Sequence, residues 1–137
     1  MIKNYYYLTV GILCLLFAYT HASNGETTVL SVLDENSIDL HTETTFHYVW
    51  HIITIENLVF GAGLLIMAFY KNQMQVRFVA WMIAAMMVAR WIIIFFFTMF
   101  YEDSSISKIL MDSVAIIIVV LLLFMGAKKG SKPIHNL

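Results

Sequence analysis

The chain has 137 residues, 61% of them hydrophobic and only 12% charged, with a formal net charge of -1 and a mean hydropathy of +0.79. A soluble domain carries about a quarter charged residues, so this chain cannot clothe itself in polar surface and is read as an all-α integral membrane protein. The near-neutral balance, with no basic run interleaved with aromatics, excludes nucleic acid as a partner, and the lone Cys14 excludes an intrachain disulfide framework or a thiolate metal cluster.

Apolar runs bounded by charge predict four spans at about 5–21, 46–70, 76–100 and 106–126, in a single transmembrane domain covering 1–137. Each is near the ~20 residues that cross a ~30 Å hydrocarbon core. The first has two readings. Lys3, the apolar run Leu8–Phe17 and the tail Thr20-His21-Ala22 also suit a secretory signal peptide cleaved after Ala22, although the small-residue rule at that site is only partly met. The segment 22–45 holds five acidic residues and no Lys or Arg. It is read as a solvated extracytoplasmic loop, or as a lid over the outer end of the bundle.

The second span opens with His47 and His51, four apart and so on one helix face, just after His41 and Glu43. Two such histidines suit a metal, but spacing supplies no third ligand. No metal is expected, and the pair is read as interfacial or hydrogen-bonded. Thr54, Asn57 and Gly61 continue that face as a polar stripe, while Glu56 points to the opposite side. Gly61-Ala62-Gly63 lacks the strand and further glycines of a phosphate loop, so it is read as a helix-packing feature.

A tight turn at Lys71–Gln75 leads to the third span. There Ala80/Ala84 and Ala85/Ala89 place small residues four apart for close helix approach. Trp91 follows Arg90, where it could stack on the guanidinium. After a turn at Glu102–Ser107, with Ser104, Ser105 and Ser107 as candidate caps, the fourth span contains Ile116–Phe124. That run is apolar all round and is expected to face lipid or a partner subunit.

Charge sorts onto two sides. If all four runs cross, Lys3, Lys71, Arg77, Lys128, Lys129 and Lys132 share one side. Lys108 falls on the other with Glu26, Asp34, Glu35, Asp39, Glu43, Glu102 and Asp103. The positive-inside rule then places both termini in the cytoplasm. Tyrosines agree: Tyr5, Tyr6, Tyr7 and Tyr70 lie at inner ends, Tyr19, Tyr48 and Tyr101 at outer ends. Short turns between crossings predict an antiparallel four-helix bundle.

Three ionisable residues fall inside spans: Glu56, Arg90 and Asp112. A central charge costs ~2.5–3.5 kcal/mol on the insertion scale, against ~0.3–0.6 gained from each Leu, Ile, Phe or Val. The second and third spans each contain 12 of those residues, so both still insert. Glu56 and Arg90 each lie 17 residues from Gln73, which puts them level on an antiparallel hairpin, ~25 Å above its turn. Asp112, early in the fourth span, is within reach of a long arginine side chain directed upward. The three form one expected cluster with two open readings: an ion pair that fixes helix register, or a polar site for a proton, ion or small ligand.

From Glu56 onward the layout resembles the BphX-like and DoxX-like small four-helix bacterial membrane proteins. The likeness rests on a polar residue before "GAGLLIMAFY", a basic turn, the Ala89-Arg90 pair late in the third span, and the acidic residue in "MDSVAIII". It covers about 50–124 and implies a four-helix bundle, for some relatives beside quinone-linked redox enzymes. No nucleophile elbow, paired-carboxylate arrangement or nucleotide motif is present, so neither enzyme activity nor a cofactor is expected. Two roles follow: a non-enzymatic accessory or structural subunit of a membrane complex, with another membrane subunit or a homo-oligomer as partner, or a small transport or ligand-binding bundle using Glu56, Arg90 and Asp112.

Overall fold

The computed structural model describes residues 1–35, 38–101 and 106–129; the side chains at 34, 35, 101, 106–109, 111 and 112 lie outside the described set. Among the described residues every regular element is helical. The elements are α1 (Tyr5–Asn24), a π-helical turn (Gly25–Val29), α2 (Ser31–Glu35), α3 (Leu40–Phe69), α4 (Gln73–Tyr101) and α5 (Ile106–Lys129). Among the described residues, three runs are long and apolar enough to cross a membrane: Tyr5–Leu33, Leu40–Phe69 and Gln73–Phe100.

The expected loop over 22–45 is largely helical instead. α1 runs to Asn24, and the chain then widens into the π-turn, closed by Leu30 N–H donating to the Gly25 carbonyl at 2.8 Å. α3 starts six residues before the expected span, because Asp39 caps it: its Oδ1 accepts the Thr42 N–H at 3.0 Å and its carbonyl accepts the Glu43 N–H at 3.1 Å. The polar residues that suggested a loop satisfy themselves within the helices. Thr27, Thr44 and Thr45 each donate a hydroxyl hydrogen bond to the carbonyl four residues earlier, at 2.8 Å.

The turn after α3 is shorter than the expected Lys71–Gln75. Asn72 Oδ1 accepts the Met74 N–H at 3.2 Å, capping α4. Gln73 reaches back and donates to the Met67 and Tyr70 carbonyls at 2.9 and 2.7 Å, satisfying the open end of α3. The second turn, with Ser104 and Ser105, lies outside the described residues.

Two compact units divide the chain, Met1–Val10 with Ile66–Leu137, and Gly11–Leu65. In the first, α4 and α5 pack against each other. Trp81 meets Phe124 edge-on at 5.6 Å and Trp91 Nε1 donates to Ser113 Oγ at 2.9 Å, so the helices run antiparallel. Ala80, Ile83, Ala84 and Met87 form a buried stripe on α4, and Val119, Leu123 and Ala127 one on α5. Of the two small-residue pairs, only Ala80/Ala84 is buried; Ala85 and Ala89 are exposed. The Ile116–Phe124 run likewise has an inner side, Val119 and Leu123, despite its uniform apolarity.

Asn4 ties this unit together. Fully buried, it caps α1 by accepting the Tyr6 and Tyr7 N–H groups at 3.2 and 3.4 Å. Its Nδ2 donates to Gln73 Oε1 at 3.1 Å and to the Gly126 carbonyl at 3.0 Å. The Lys3 and Asn4 N–H groups both donate to the Ala68 carbonyl, at 2.8 and 3.1 Å. One amide thereby joins the start of α1, the start of α4 and the end of α5, beside the end of α3.

In the second unit α1 and α3 meet at a pair of glycines. A Cβ on Gly61 would lie 3.0 Å from the Gly11 carbonyl and 2.8 Å from Leu15, and one on Gly11 would lie 3.1 Å from the Gly61 carbonyl. Each missing side chain makes room for the other helix's backbone. Gly63 has nothing within 4 Å, so Gly61 alone carries the packing role expected of the Gly61-Ala62-Gly63 stretch. Further along, His21 stacks on Trp50 at 4.4 Å. Residue numbers rise along α1 as they fall along α3; this pair is antiparallel.

Candidate functional site

The His21–Trp50 stack anchors the end of this helix pair. The rings are within 4° of parallel, and Trp50 Nε1 donates to the His21 carbonyl at 2.9 Å. The indole fills the space that Gly25 leaves open: a Cβ there would lie 2.0 Å from Trp50 Nε1. Gly25 thus starts the π-turn where the chain passes over the tryptophan, and Glu26 follows at once. π-turns inserted in helices mark functional positions unusually often, and this one delivers a carboxylate to α3.

Glu26 Oε1 lies 2.7 Å from His51 Nε2. His47 sits one turn earlier on the same face of α3. One ligand atom from each of Glu26, His47 and His51 can be chosen such that all lie within 4.8 Å of one another. Spacing alone supplied no third ligand and no metal was expected; the fold brings the missing carboxylate from 25 residues away. Both histidines are half-buried and Glu26 is exposed, so the cluster opens to solvent from the glutamate side.

The polar stripe continues below it. Trp50, His51, Thr54, Asn57 and Gly61 fall on one side of α3 at 100° per residue, and the contacts of Trp50 and Gly61 identify that side as the one packed on α1. Asn57 is buried. Thr54 Oγ1 is also buried and has no hydrogen-bond partner among the described residues. The stripe is therefore an interhelical seam.

The expected intramembrane cluster divides between the units. Glu56 lies on α3 in the Gly11–Leu65 unit, opposite the stripe, and Arg90 lies on α4 in the other unit; each is half-buried. Asp112 belongs to α5, with its side chain outside the described residues. Trp91, beside Arg90, is engaged by Ser113 and by the Phe95 ring at 5.3 Å.

Two residues with the most structural consequence carry weak sequence signals. Asn4, before the first apolar run, is a plausible helix cap by type alone, but nothing nearby in sequence announces its contacts with residues 73 and 126. Glu26 follows a glycine where the apolar run fades, which marks a break without indicating a partner. No protein-family model, curated protein or solved structure matches the chain, so its functional reading stands on its own residues.

Proposed function

We propose that the chain is a multi-pass protein of the bacterial inner membrane, with α5 as a fourth crossing, both termini cytoplasmic, and a non-enzymatic role as accessory subunit of a membrane complex. The BphX-like and DoxX-like resemblance fits this reading. The observation that carries it is the amount of apolar surface the chain leaves uncovered. Among the described residues, at most 33% of the spanning window is buried in each of the runs Tyr5–Leu33, Leu40–Phe69 and Gln73–Phe100. On α4, Ile92, Ile93, Ile94, Phe95, Phe96 and Phe97 are consecutive and all exposed. Six consecutive residues point in every direction around a helix, so this turn presents exposed apolar side chains on every side. Lipid tolerates such a surface, but close packing on a neighbouring helix is what rigid aromatic rings add to membrane association.

Extraction from native membranes into lipid nanodiscs, followed by mass measurement, tests the proposal. A protein mass well above the 15.8 kDa of one chain is expected; a population consisting of single chains overturns it.

A second reading, a small transport or ligand-binding bundle, is favoured by the half-burial of both Glu56 and Arg90, since intramembrane charges turned from lipid commonly mark pathways or binding sites. Under it, Arg90→Ala abolishes proton or ligand movement in reconstituted vesicles while insertion is retained. Unchanged movement eliminates it.

A further inference from the structure

We infer that Glu26, His47 and His51 form a binding site for a divalent first-row transition-metal ion of the zinc type, seated where α3 and the π-turn meet. The proposal is independent of the accessory-subunit reading. It rests on the donor set, the positions of the donor atoms and the way each is held.

Two imidazoles and one carboxylate suit Zn²⁺, Ni²⁺ or Cu²⁺, whereas Mg²⁺ and Ca²⁺ prefer all-oxygen shells. Bonds of about 2.0–2.2 Å in tetrahedral geometry set ligand atoms roughly 3.3–3.5 Å apart. The chosen atoms already lie within 4.8 Å of one another, and the His51–Glu26 pair at 2.7 Å needs only to open slightly to admit an ion between them. Rotations of a solvent-exposed glutamate and two half-buried imidazoles span such differences without backbone movement. Three protein ligands leave a fourth position for water or an external donor.

The scaffold is firm on both sides. His47 and His51 share one face of an uninterrupted helix, Leu40–Phe69. Glu26 is set by the π-turn, whose first residue, Gly25, lies against Trp50, and that ring is bonded and stacked to His21. At ~1.5 Å per residue α3 is about 45 Å long, some 15 Å more than a hydrocarbon core. With Tyr70 and Lys71 at the opposite interface, His47 and His51 fall at the membrane–water boundary, where an ion can enter past Glu26. The five acidic residues of segment 22–45, with no Lys or Arg among them, draw cations towards that boundary. An ordinary exposed Glu–His pair explains one contact and contributes little; it does not explain why His47 converges on the same point.

The test uses the full chain in nanodiscs, purified without a polyhistidine tag and titrated with Zn²⁺ and with Co²⁺ as a spectroscopic substitute. One Co²⁺ per chain, with visible d–d absorption that Zn²⁺ abolishes and excess Mg²⁺ leaves intact, is expected. Because loss of an outer-shell partner alone weakens metal sites roughly 10–100-fold, His47→Gln, His51→Gln and Glu26→Gln should each weaken binding by at least about 100-fold. His41→Gln should leave it unchanged. Glu26→Gln leaves α3 untouched and remains decisive if a histidine variant loses wild-type helicity. Absence of saturable binding, full affinity in folded Glu26→Gln, or displacement by equimolar Mg²⁺ overturns the proposal.

Discussion

Replacing Asn4 by alanine tests the junction that joins the start of α1 to α4 and α5. The substitution removes an N-cap, which costs about 1 kcal/mol, and two side-chain hydrogen bonds to Gln73 and the Gly126 carbonyl, each contributing about 1 kcal/mol net. The expected loss is therefore about 3 kcal/mol, in a residue whose side chain is fully buried. Asn4→Ser keeps a capping oxygen but cannot span to residues 73 and 126, so about 2 kcal/mol should be lost. Unfolding in mixed micelles titrated with dodecyl sulfate, followed by far-ultraviolet circular dichroism, measures both. The double variant Asn4→Ala/Gln73→Ala should fall short of additivity by about 1 kcal/mol, as residues sharing a hydrogen bond do. An Asn4→Ala protein within 0.5 kcal/mol of wild type (well below the cap term alone) would refute the reasoning.

Four further outcomes follow from local geometry. Gly25→Ala drives a methyl into the Trp50 indole and should shift tryptophan emission and cost about 2 kcal/mol or more, the range for overpacking. Gly63→Ala, with nothing within 4 Å, should be neutral or stabilising by up to about 1 kcal/mol through helix propensity; the reverse order of these two would contradict the packing described. Trp91→Phe and Ser113→Ala each remove the 2.9 Å hydrogen bond between α4 and α5 and should cost about 1 kcal/mol with little extra in the double variant. Asp39 is held below the ordinary aspartate value of 3.8, by the Thr42 side chain first and its backbone N–H second. Its contribution is thus complete above that value and disappears as pH falls through the depressed one. A carboxyl titration by NMR with its midpoint at or above 3.8 would remove the cap from the explanation.

How much of this was legible in the sequence depended on whether the signal was local. Helical class, the three described apolar runs and the turn near Lys71 follow from residues close together in the chain, and all appear in the structure. Segment 22–45 misled because its polarity matched that of a loop. Its threonines instead bond back within their helices, and Asp39 starts α3 inside the stretch that read as solvent-exposed coil. The Gly11–Gly61 approach was half legible: Gly61 stood out as a small residue for packing, but its partner is 50 positions away. Glu26 and Asn4 were opaque for the same reason, since a polar side chain's partners are set by tertiary pairing that no period of 3.6 encodes. Apolarity also hid the inner stripe of α5, where Val119 and Leu123 differ from Ile118 and Leu121 only in the direction they face.

The orientation of the chain bears most directly on the proposed role, because the proposal puts Lys71 on the cytoplasmic side and the Glu26, His47 and His51 cluster outside. In a Cys14→Ser background, single cysteines at exposed Thr27 and exposed Lys71 can be probed with a membrane-impermeant maleimide on intact cells, the outer membrane being permeabilised. Labelling of Thr27→Cys at once and of Lys71→Cys only after lysis is the expected result. Labelling of Lys71→Cys in intact cells, or equal labelling of both, would contradict a membrane crossing in this direction.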